Sequence, residues 1–159
     1  MKKLILTAAL LSGLGISAWV AEAASTSGTF NVNVTLNSTC SLSAITALDF
    51  TYTSFGSAAT ATGGGFSVTC TNSLPYTFGL QAGSGAASPP GAATITVTDN
   101  VVNLQYVVGT SAAGGTGNGS AQSYNVTGTM ASGQSGTCGS ASCTNATATN
   151  KTQTLILNF

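Results

Sequence analysis

Residues 29–36, TFNVNVTL, constrain this chain more than any other stretch. Side chains of an extended strand alternate between two faces, so Phe30, Val32, Val34 and Leu36 make one apolar edge. Asn31, Asn33 and Thr35 make the other edge, which is polar. A strand of this pattern needs an apolar surface to cover it on one side. It stands ahead of Cys40, the first cysteine. It therefore either folds back into its own domain or is lent to a neighbour.

What precedes the run reads as an export leader. Lys2 and Lys3 are followed by an apolar segment from Leu4 to Val20, and Ala21-Glu22-Ala23 supplies small residues at the positions a signal peptidase reads. A signal peptide at 1–23 is expected, cut after Ala23 or, as the alternative, after Ala24. Gly13 and Gly15 interrupt the apolar segment and no second hydrophobic span follows, so a retained membrane anchor is not expected. Residues 24–159 remain, enough for one domain with one modest core.

Charge is nearly absent. After cleavage the charged side chains are Asp49, Asp99 and Lys151, and the chain contains no histidine. Such a surface cannot neutralise phosphates, which argues against nucleic acid or an anionic membrane as partner. It also lacks the repulsion that keeps ordinary proteins apart, which is tolerable where the working state is an assembly.

The four cysteines, in an exported chain, read as two disulfides. Three pairings are possible. Cys138 and Cys143 enclose only GSAS, so a local clip is easiest there and leaves Cys40 with Cys70. The longer bridge would contribute roughly 3–4 kcal/mol by restricting the unfolded chain. A four-thiolate zinc site is the rival reading of the Cys138-x4-Cys143 spacing, but it lacks a second close pair.

Behind the leader, strand-like runs follow one another, separated by Gly, Ser and Pro. Cys40-Ser41-Leu42 opens the series. Leu48, Phe50 and Tyr52 alternate, as do Phe66, Val68 and Cys70, and the last three place Cys70 where a bridge between two sheets is plausible. Tyr76, Phe78 and Leu80 follow Pro75. Ile95 with Val97, then Val102, Leu104, Tyr106 and Val108, continue the pattern, and Tyr124 with Val126 is a weaker run. Leu155, Leu157 and Phe159 share one face at the end. Many short strands at this spacing predict an all-β, two-sheet sandwich, with a closed barrel as alternative. The Gly-, Ser-, Ala- and Thr-rich stretches 82–93, 109–120 and 131–150 are expected as exposed loops.

Four segments carry a family resemblance: the apolar run 30–36, Ser-Thr-Cys-Ser-Leu at 38–42, Phe-Ser-Val-Thr-Cys at 66–70, and Thr-Leu-Ile-Leu-Asn-Phe at 154–159. In this order and spacing the chain resembles the spore coat U-like domain family, and within it the major subunits of archaic, Csu-type chaperone–usher pili. It departs from the family pattern in the central strand, where only Leu104-Gln105-Tyr106 remains, before the last strand, and in the Cys138–Cys143 clip. The resemblance implies an incomplete immunoglobulin-like β-sandwich completed by a donor strand from a neighbouring subunit. Residues 24–37 would form the donor segment and 38–159 the pilin domain, with Phe30, Val32, Val34 and Leu36 as inserting side chains. It also implies a homopolymer of identical subunits, a periplasmic chaperone that touches the C-terminal strand at Leu155, Leu157 and Phe159, an outer-membrane usher and a tip subunit. The destination would be a surface fibre, exported through the periplasm, for adhesion and biofilm formation.

Enzyme chemistry has little to work with. No histidine, carboxylate cluster or nucleophile elbow occurs, so no catalytic residue, metal or cofactor is expected. Asp49 and Asp99 are expected at turns or strand ends rather than as a catalytic pair. Tyr76, Phe78, Leu104 and Tyr106 are expected in the core rather than around a ligand. Asn-x-Ser/Thr triplets at Asn33, Asn37, Asn118, Asn125, Asn145 and Asn150 are silent in a bacterial setting. The rivals to a pilin are a self-complemented secreted coat protein and a carbohydrate- or surface-binding module.

Overall fold

The structure, a computed structural model, describes residues 24–159, and the expected leader and its cleavage site lie outside them. Residues 24–35 carry no strand and are exposed throughout. Residues 36–159 form a compact unit. Among the described residues that unit is all-β, with strands β1 (Cys40–Leu42), β2 (Leu48–Asp49), β3 (Ala59–Thr60), β4 (Thr62–Gly63), β5 (Gly65–Cys70), β6 (Pro75–Ala82), β7 (Ile95–Thr98), β8 (Gln105–Thr110), β9 (Gly114–Thr116), β10 (Gln122–Met130) and β11 (Gln153–Asn158).

These strands build an immunoglobulin-like sandwich of antiparallel sheets. One sheet runs β1-β5-β10-β8-β7, with β3 also against β10; the other runs β11-β6-β9; β2 and β4 form a small ladder of their own. The chain crosses between the sheets repeatedly, so sequence neighbours such as β5 and β6 lie in different layers. Alternation decides which side chains meet in the middle: Phe66, Val68 and Cys70 from β5, Tyr76, Phe78 and Leu80 from β6, Tyr106 and Val108 from β8, Val126 and Met130 from β10. At one end the hydroxyls of Tyr76 and Tyr124 lie 2.6 Å apart, Tyr76 also donates to Gln122 Oε1 at 3.1 Å, and Phe66 and Phe78 pack around them. Burial, and then the bond to Tyr124, push the Tyr76 hydroxyl up to about 12, so it stays a neutral donor. These aromatics are core, as expected.

Four local features differ from the sequence expectations. Cys40 does pair with Cys70, but the two are register partners on adjacent strands β1 and β5, so the bridge lies within one sheet and not between two. The stretch 109–120 is not one loop: Gly114–Thr116 forms β9 against β6. The weak run at Tyr124 belongs to the longest strand, β10, which holds the larger sheet together by pairing β5 on one side and β8 on the other. Val102 and Leu104 both precede β8, with Val102 in the turn before it. The second bridge, Cys138–Cys143, is the expected clip.

Two close approaches depend on glycine. Residues 59–70 run along β10 as one bent path that kinks at Gly63 and Gly64, both at positive φ, where a side chain on Gly64 would strike the Val126 carbonyl. On the outer face of β6, a Cβ on Gly79 would lie 1.8 Å from the Pro90 carbonyl oxygen. That is because the 83–92 segment lies against this face. Leu80 and Ala92 exchange backbone bonds of 2.7 and 2.8 Å, Gln81 bonds Ala86 and Ser88, and Asn158 Nδ2 donates to the Pro90 oxygen at 3.0 Å.

The turn between β7 and β8 is organised by Asp99. It is 2 % exposed, yet both its oxygens are used: Oδ1 accepts from the Val101 and Val102 amides at 2.8 and 2.9 Å, and Oδ2 from Asn145 Nδ2 at 2.9 Å. Burial pushes its pKa up, but the bonds from Val102, Asn145 and Val101 outweigh that and hold it below the ordinary carboxylate value. A lowered folded-state pKa stabilises the fold above the unfolded value and loses that contribution as pH falls through the folded value. The Asp99→Asn variant should therefore be less stable than the native protein at pH 7 in urea denaturation, with the gap narrowing below about pH 4; a gap independent of pH would contradict this. Gly79→Ala should cost about 1–3 kcal/mol by overpacking against Pro90, while Gly139→Ala, with open space around it, should stay within about 0.5 kcal/mol.

Candidate functional site

The last strand, β11, reads QTLILN. Its register sets Leu155 opposite Leu80 and Leu157 opposite Phe78, so both leucines face the inside of the sandwich. Ile156, opposite Gly79, faces outward, yet is only 4 % exposed because it shares that face with the 83–92 segment. Phe159 lies past the end of the strand and is 62 % exposed. β11 pairs only β6 and so forms the edge of its sheet among the described residues.

Beside this edge the sandwich is open. A groove of about 740 Å³ runs between Leu80 and Leu155 on one side and the segment carrying Ile45, Leu48, Phe50 and Tyr52 on the other. Tyr106, Val108, Val126 and Met130 form its floor. Phe50 packs on Tyr106 with ring centres 5.6 Å apart, and β10 has a glycine, Gly128, where a Cβ would meet Phe50 and Leu48. Leu48, Phe50, Tyr52, Leu104, Leu155 and Leu157 all pack on the core but remain half-buried. In a closed sandwich such residues would be covered.

One end of the groove is polar. Asp99, Asn145, Thr144 and Gln153 line it, and Gln153 Nε2 donates to the Tyr106 hydroxyl at 3.1 Å. Asn100 and Asn150 tie the same segment to β7: Asn100 Nδ2 donates to Thr149 Oγ1 at 2.6 Å, and Asn150 Nδ2 to the Thr98 carbonyl at 2.8 Å. The stretch 131–150, expected as a loop, is thus pinned across the end of the sandwich. Lys151 donates to the Ala146 carbonyl.

Asp99 has both oxygens committed, Asp49 is exposed on β2, and all four cysteines are in disulfides. Among the described residues no three His, Cys, Asp or Glu side chains gather as metal ligands would. What the groove presents is an apolar trough beside an unpaired strand edge. An extended strand with apolar side chains on one face fits both parts, its backbone against β11 and its side chains in the trough.

Of the side chains singled out in the sequence, Leu155 lines the groove and Leu157 lies on the same face. Phe30, Val32, Val34 and Leu36 belong to no strand and are 73–85 % exposed. The groove wall, Ile45 to Tyr52, was legible only as alternation; its exposure to an open trough depends on which strand lies beside it.

No curated protein and no solved structure matches the chain with significance. The family model for the Spore Coat Protein U domain does match, over residues 26–155, which takes in the alternating run, both disulfides and the first half of β11. With that match spanning most of its length, the chain belongs to the Spore Coat Protein U domain family, a family of pilus- and coat-type proteins.

Proposed function

We propose that the protein is a pilin, a structural subunit that polymerises by donating Phe30–Leu36 to the groove of the next copy. The observation that carries this reading is a pair of complementary deficits in one chain: an alternating apolar run that is exposed, and an apolar trough beside an unpaired edge. Each alone is an aggregation hazard. Together they are donor and acceptor. Full burial of an apolar side chain is worth roughly 1.5–3 kcal/mol, so four give on the order of 6–12 kcal/mol before the cost of ordering the strand. Ladder bonds along β11 add to it. The joint is head-to-tail, so it propagates into a fibre and does not close a ring. The family match begins at residue 26, which supports treating the run as part of the functional unit.

On this reading the groove needs a substitute strand until the subunit reaches the growing fibre. A periplasmic chaperone fills it, an outer-membrane usher directs the exchange, and the fibre ends in a tip subunit. Exposed Phe159 and the inward leucines of β11 are the natural contacts for the chaperone. The finished fibre serves adhesion and biofilm formation at the cell surface.

Val34→Asp should abolish fibres in electron micrographs of sheared cells, because a carboxylate in the trough is buried without a partner. The subunit–chaperone complex should still be recovered. Asn33→Asp, on the polar edge, should leave fibre yield within about twofold, since exposed substitutions cost little. Normal fibres from Val34→Asp would overturn the donor assignment and favour a self-complemented coat protein.

A further inference from the structure

The geometry points to the Cys40–Cys70 bridge as a mechanical bypass: it carries tension from the donor strand's root straight into β5, past the segment that forms the groove wall. This rests on the pilin reading, since only a subunit in a fibre is pulled at that point.

The connection between donor and domain is short. Three residues, Asn37, Ser38 and Thr39, separate Leu36 from Cys40. Thr39 is already fixed: its amide donates to Thr71 Oγ1 at 3.0 Å, and its carbonyl accepts from the Thr71 amide at 3.0 Å and hydroxyl at 3.2 Å. The next residue is Cys40, the first of β1, facing its disulfide partner with Cα atoms 4.1 Å apart. Tension on the donor thus meets the covalent bridge at the first residue of the sheet.

The alternative path is weak. β1 has three residues, so only a short ladder to β5 stands between a pull on Cys40 and the chain beyond Leu42. Beyond β1 the chain is held to its neighbours by the two-residue ladder of β2 with β4, together with bonds such as Ser43 N to Ser67 O and Thr46 N to Gly65 O. That stretch carries Ile45, Leu48, Phe50 and Tyr52, the wall that would grip the incoming strand. Without the bridge, tension would peel the wall away and open the groove just when the joint is under load. With it, the stretch from Ser41 to Gly64 is bypassed and the load enters β5 at Cys70, on a strand that β10 supports from the other side. The Cys138–Cys143 clip spans a separation of only 5 and lies far along the chain from the donor root, so it serves as the internal control.

The test is force–extension on single sheared fibres of the native protein and of the Cys40→Ser/Cys70→Ser variant, with Cys138→Ser/Cys143→Ser as control. If the first variant is not exported, formed native fibres are reduced with tris(2-carboxyethyl)phosphine, and alkylation mass confirms that the bridge has opened. Forced unfolding reports the unfolding rate under load. Native and control fibres should reach rupture without long steps. Fibres lacking the Cys40–Cys70 bridge should lengthen in steps of up to about 100 Å per subunit, the limit set by the separation of 30 at roughly 3.3–3.6 Å per residue, at lower force and with earlier rupture. Fibres that form but show the same force–extension curve without the bridge would overturn the bypass alone. Absence of any polymer in native preparations would overturn the pilin reading and the bypass with it.

Discussion

The free edge of β11 is the constraint on which the rest of the domain turns. A sheet edge offers a row of unpaired amides and carbonyls, and here the same strand turns Leu155 into an open trough, with Leu157 on the same face. The opposite face of β11 is closed: Ile156 is buried there, beside the Gly79–Pro90 contact, and Asn158 is bonded to Pro90. What stays open is the edge itself, with the trough on its inward side. The 83–92 segment thus does for the outer face what no strand among the described residues does for the inner one.

The remaining architecture protects that opening without filling it. Asp99 fixes the β7–β8 turn and, through Asn145, the segment that closes one end of the trough. The tyrosine pair and the phenylalanines seal the core around Tyr76 and Tyr124. Both disulfides stabilise by restricting the unfolded chain, which matters where part of the core is left open. Almost no charge contributes. Among the described residues the charged side chains are Asp49, Lys151 and the buried Asp99, so the surface carries almost none.

Much of this was legible in the sequence where side chains alternate. β5, β6, β8 and β11 all show one apolar face in period two, and the all-β sandwich follows from their spacing. Where glycine replaces the inward side chain the signal fades: β9 is GGT, and β10 carries Gly128 at an inward position so that Phe50 and Leu48 can approach. The Cys40–Cys70 pairing was readable from spacing, but its place within one sheet required the register of β1 on β5. The open groove had no local signal, because it consists of a missing neighbour. Leu48, Phe50 and Tyr52 alternate like any covered strand, and only the topology shows that no strand among the described residues lies between them and β11. The exposed run at 30–36 is the one sequence clue to what could fill it.

The most direct measurement of strand exchange between copies is electrophoresis of surface-sheared material in SDS, with and without boiling. Strand-exchanged polymers are kinetically locked, so the account predicts a ladder at multiples of the subunit mass that collapses to a single band on boiling. A single subunit band in both lanes would contradict it, and would mean that Phe30 to Leu36 are covered within their own chain.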